Sequence, residues 1–155
     1  MSNWSRSAAK LFIDRRDTKQ THDEKVMHDQ KLVELRAPEI WEELSKTFDE
    51  KCTEFNSEPG VGNILSFERT GLDEFRITRS DTHATMNVTF LRPFYSVGWD
   101  VMPEPGSFRF EVIKGTSDVG LFYVKKGTNI ATQLSIEHIA TIGLDFFMKS
   151  WVPKT

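Results

Sequence analysis

The sequence predicts an α+β domain: two or three N-terminal helices, an antiparallel sheet of five or six strands, and a long apolar C-terminal helix packed on one sheet face. Three observations predict it. Apolar residues recur at three and four positions up to Phe55, alternate with polar ones from Leu65 onward, and surround most of a helical circumference after Ser135.

The stretch from Thr21 to Arg36, THDEKVMHDQKLVELR, is highly charged and free of Gly and Pro, with a thin apolar stripe of Val26, Met27, Leu32, Val33 and Leu35. Pro38 suits the first position of a second helix, where its missing N–H is not needed, and Glu39, Glu42 and Glu43 suit the positive end of that helix. Onward to Phe55, the residues Ile40, Trp41, Leu44, Phe48, Cys52 and Phe55 share one face. That face packs on something large.

Asn56 to Asn63, NSEPGVGN, is dense in turn formers, and the period changes to two after it. Leu65 and Phe67, then Phe75 and Ile77, then Ala84, Met86, Val88 and Phe90 alternate with polar residues, as half-buried antiparallel strands require. Pro93 demands a bend or an edge before Tyr95, Val97, Trp99 and Val101. A turn at Glu104-Pro105-Gly106-Ser107, of type II by its Pro and Gly positions, leads to Phe108, Phe110 and Val112. VGLFYVKK, apolar on both faces, reads as a central strand or one covered on both sides. Ser135 is an N-cap for the last helix, in which Gly143 costs about 1 kcal/mol relative to Ala and implies a close neighbour.

With 155 residues, 38% of them hydrophobic and 28% charged, the chain is sized for one domain with a substantial core. Charge is uneven. Residues 1–16 hold four Lys and Arg against one acid, and residues 17–58 hold six against twelve, so a basic N-terminal arm precedes an acidic helical region. The first thirteen residues are Ser-rich and free of acids, like the start of a transit peptide, until Asp14 and Asp17 interrupt that pattern. The single cysteine, Cys52, and the lack of a long apolar run favour a cytoplasmic protein without a membrane span.

No motif points to catalysis, a metal or a cofactor. Gly60-Val-Gly62 is followed by a strand rather than the helix a phosphate loop needs, and Gly115 to Gly120 lacks the Lys-Ser/Thr pair. His22 and His28, six apart on a helix, point about 120° apart and cannot share an ion unaided. Nucleic acid is not expected either. The outward sheet residues Arg76, Thr78, Asn87, Thr89 and Arg109 form a polar, mildly basic face without aromatic rings for base stacking.

The function expected is therefore non-enzymatic: a binding module for a protein partner or a homo-oligomer, with that sheet face or the first or last helix as contact. The alternative is a carrier of a small apolar ligand, its pocket between sheet and C-terminal helix lined by Met86, Phe90, Trp99, Phe108, Phe110, Phe146 and Trp151. The element order resembles helix-grip ligand-binding folds in its last helix lying against an antiparallel sheet. Those folds open on a strand, whereas this chain opens on helices.

Overall fold

The computed structural model describes residues 3–100 and 106–149. Pro38 begins no helix in it. A single helix, α1, runs from Asn3 to Ser57 with Pro38 inside, so the expected two or three helices are one and the basic arm is its first turns. Within a helix, proline loses a hydrogen bond and crowds the carbonyl four residues earlier, at about 3 kcal/mol. The helix survives because burial holds both sides of the defect. Ala37, Ile40, Trp41 and Leu44 are all buried, and each large side chain contributes about 1.5–3 kcal/mol.

Among the described residues the sheet has seven strands where five or six were expected. They are β1 (Leu65–Gly71), β2 (Glu74–Arg79), β3 (Thr85–Leu91), β4 (Ser96–Trp99), β5 (Gly106–Val112), β6 (Val119–Lys125) and β7 (Ala131–Leu134). Each is antiparallel to the next, in sequential order. Strand β7 escapes sequence analysis because Ala-Thr-Gln-Leu is short, mostly exposed and has no inward row of its own. It is held by pairing, with Leu134 opposite Leu121 and Thr132 opposite Tyr123.

The alternation sets the register elsewhere. Phe75 opposes Val88, Val88 opposes Trp99, Val97 opposes Phe108 and Phe110 opposes Leu121, so one apolar row crosses the sheet. At Pro93 the chain bends through a short 3-10 turn, Arg92–Phe94, and leaves Tyr95 at φ 44° in the left-handed region. Such a conformation costs a non-glycine residue about 1–2 kcal/mol. Its backbone is tied down on both sides: the Tyr95 N–H donates to the Arg92 carbonyl at 3.2 Å, and the Tyr95 carbonyl accepts from the Phe110 N–H at 2.9 Å.

Helix α2 (Ile136–Lys149) starts where the N-cap was expected, with the His138 N–H donating to Ser135 Oγ at 3.1 Å. It has 14 residues and is covered on one side only, not all round. Ile139, Ala140, Gly143, Leu144 and Phe147 are buried, Ile142 and Phe146 are half-buried, and Glu137, Thr141 and Asp145 face water. The reason is that α1 shares the apolar face of the sheet with it. A Cβ on Gly143 would lie 3.3 Å from the Phe48 ring of α1 and 3.5 Å from Trp99 of β4, which is the close neighbour the glycine implied. Val101, the turn residues before Gly106, and Trp151 lie outside the described residues.

Arg79 closes this layer. Its side chain is buried on the inner face, grips Asp81 with two hydrogen bonds of 3.1 and 2.8 Å, and donates to the Met148 carbonyl in the last turn of α2 at 2.9 Å. A cation there satisfies a helix-end carbonyl and suits the negative end of the dipole. That same hydrogen bonding holds the Asp81 carboxyl below its ordinary range. Arg79→Met is expected to lower stability by about 1.5 kcal/mol, since a charged hydrogen bond to a carbonyl is lost. A urea midpoint within error of the parent would remove Arg79 from this role.

Candidate functional site

Three hairpin ends meet α1 where the helix leaves the sheet. At the β1–β2 turn, the Trp41 Nε1–H donates to the Leu72 carbonyl at 3.0 Å, while Arg69 grips Glu42 at 3.0 and 2.7 Å and also reaches the Gly71 and Leu72 carbonyls. At the β5–β6 turn, Arg36 bonds both Glu39 and Asp118. Arg92, in the β3–β4 connection, binds Asp73 through two hydrogen bonds of 3.0 and 2.7 Å and so joins two of the turns. Hydrogen bonds from these guanidinium groups hold the Glu42 and Asp73 carboxyls below their usual range. The exit is clamped by charge-assisted pairs on rigid hairpins.

Beyond this clamp the N-terminal part of the helix runs out into solvent. From Asn3 to His28 every residue is exposed except Ala8, which is half-buried, a length of about 40 Å at 1.5 Å per residue. Apolar side chains stand in water along it: Trp4 is 76% exposed, Leu11 52% and Phe12 66%. With Ala8 between them these fall at i, i+4, i+7 and i+8, within about 100° of one face. Arg15 lies on the same face, Arg16 flanks it, and Arg6 and Lys10 stand on the opposite side of the helix.

The same face, farther along α1, forms one wall of an open groove of about 490 Å³. Val26, Asp29, Gln30, Val33 and Glu34 line it from the helix, and Phe94, Tyr95, Phe110, Glu111 and Val112 from the hairpins. Phe94 is 75% exposed there. Three carboxylates, Asp29, Glu34 and Glu111, stand in the groove; among the described residues no Lys or Arg lines it and none of the three is in an ion pair.

The residues singled out from the sequence lie elsewhere. Met86, Phe90, Trp99, Phe108 and Phe110 are buried, with ring centroids 5.3 Å apart for Phe90 and Phe110 and 4.9 Å for Trp99 and Phe108. Phe146 is half-buried on α2, and Phe110 alone of these described candidates reaches the groove. The Trp99 Nε1–H finds no acceptor among the described residues. On the opposite sheet face, Arg76 donates to Asn87 Oδ1 at 2.9 Å and Asn87 Nδ2 donates to Asp100 at 2.8 Å. Thr78 sits opposite Thr85, Thr89 opposite Gly98, and Arg109 between Ser96 and Phe122, so this face is a lattice of cross-strand pairs.

Among the described residues no cluster of three or more His, Cys, Asp or Glu is placed to hold a metal, and no helix is long and apolar enough to cross a membrane. Burial, with a smaller contribution from the Asp49 charge, pushes the Cys52 thiol up to about 12. Thiolate is the reactive form. Cys52 is therefore expected to react with a thiol reagent at neutral pH only after urea unfolds the protein, and rapid labelling of the folded chain would contradict its burial. The chain matches no family model, no curated protein and no solved structure.

Proposed function

We propose that this chain is a protein–protein binding module that makes contact through the N-terminal half of α1. One observation carries it: about seven turns of helix project from the clamped hairpins with Trp4, Leu11 and Phe12 set in a row on one side and facing water. An isolated polar helix draws little stability from propensity alone and gains most from packing an amphipathic face. A row at i, i+4, i+7 and i+8 is how an amphipathic helix engages a groove on another protein. The unpaired cysteine suits a reducing compartment, which supports a cytoplasmic location. The rings first considered as the wall of a ligand pocket are within contact reach of one another, which supports a packed-core role for them.

A photoreactive phenylalanine analogue at position 12, irradiated in living cells, is expected to give adducts with protein. Adducts with lipid, or no adduct at all, would overturn the proposal.

A further inference from the structure

We infer that the partner is a second copy of this chain, whose basic apolar arm lies in the acidic apolar groove of the first while the reverse exchange fills the other groove. This rests on the protein–protein role proposed above and names its occupant. The chemistry of the two surfaces is complementary. The arm offers Trp4, Leu11 and Phe12 with Arg15 on the same face, in a segment whose first 16 residues hold four Lys and Arg against one acid, and the groove offers Val26, Val33 and Phe94 beside Asp29, Glu34 and Glu111. A basic segment faces an acidic groove whose carboxylates form no ion pair among the described residues, and apolar rows meet on both.

A chain cannot fill its own groove. The middle of the arm and the middle of the groove wall, near residues 8 and 30, belong to one unbroken helix and are separated by about 33 Å along its axis. Folding back would require breaking α1. A second copy meets no such obstacle, because two α1 helices laid antiparallel and crossing near Lys19 place each arm over the other groove at once. In that register Trp4 stands by Val33 and Glu34, and Phe12 stands by Val26. All of these lie on or beside the one face of α1 that carries both surfaces.

Area favours reciprocal exchange over a single docking. Trp4, Leu11 and Phe12 together offer on the order of 400 Å². A like amount from the groove brings one arm in one groove to roughly 800 Å², the size of a weak contact. Two exchanged arms reach roughly 1,600 Å², the size of a stable interface, and close on a two-fold axis instead of growing into a filament.

The test uses the full purified chain. Sedimentation velocity at tens of micromolar is expected to show a dimer. Phe12→Asp and, separately, Val26→Asp are expected to weaken it by about 100-fold, since each change enters a symmetric dimer twice. The positions are exposed, and an unchanged urea midpoint shows that each variant is folded. Phe12→Cys combined with Val26→Cys is expected to form a disulfide-linked dimer on mild oxidation. The two positions, about 21 Å apart on one helix, cannot bridge within a chain, and Phe12→Cys alone is expected to give no bridge.

A monomer at these concentrations overturns the second copy as partner, and a dimer insensitive to both aspartate variants overturns the exchange of arm and groove. If the analogue at position 12 still captures a different protein, only that identity fails and the binding-module role stands. A monomer whose analogue at position 12 labels lipid overturns both.

Discussion

Replacing Trp41 with alanine is expected to lower the unfolding free energy by about 4 kcal/mol, in line with large aromatic truncations in packed cores. Trp41 lies where α1 crosses the apolar row of the sheet and is 1% exposed. Its ring stacks on Phe75 at 5.3 Å, lies 5.8 Å from Phe90, and carries the Arg69 guanidinium at 5.7 Å. Its Nε1–H donates to the Leu72 carbonyl. Truncation therefore opens a cavity at the centre of the core and unties the β1–β2 turn from the helix together. Urea unfolding followed by far-UV circular dichroism measures the loss. A change below about 1 kcal/mol would mean that the helix does not cross the sheet at this residue.

Pro38→Ala is expected to act in the other direction, stabilising the protein by about 2 kcal/mol. The interior of a helix penalises proline by about 3 kcal/mol. Part of the gain is cancelled because alanine also frees the unfolded chain, which costs up to about 1 kcal/mol. At the first position of a helix the same substitution would be neutral or slightly destabilising, since proline is pre-organised there. The sign of the change thus separates one continuous helix from two helices meeting at Pro38, and a lowered melting temperature would restore the break.

The sheet was legible because it is one-sided. Phe75 and Ile77, Met86 and Val88, and Phe108 and Phe110 point at the helices while their neighbours point at water, and a period of two follows from that geometry alone. Pro38 was misleading for a local reason: proline at the start of a helix and proline inside one have the same neighbours in sequence. What distinguishes them is the burial of Ala37 and Ile40 against distant strands. Strand β7 carries no inward row, so only its pairing partner reveals it.

The arm was half legible. The spacing of Trp4, Ala8, Leu11 and Phe12 is written in the chain, but the basic, Ser-rich composition around it reads as an appendage. The groove was not legible at all. It exists only because Glu111 and Phe94 are brought beside Asp29 and Val33 by the meander and by the clamp of Arg36, Arg69 and Arg92. Pairings of that kind are long-range, and no local period announces them.

The most direct test of a single helix stabilised at its far end by another molecule is amide hydrogen exchange across α1 as a function of protein concentration. Amides from Ile40 to Cys52 are expected to be protected equally at all concentrations, being held by the sheet. Those from Leu11 to His28 are expected to be protected at tens of micromolar and to lose at least tenfold of that protection on dilution toward the nanomolar range. Protection of the arm that does not change with concentration, or exchange at the random-coil rate throughout, would contradict the account.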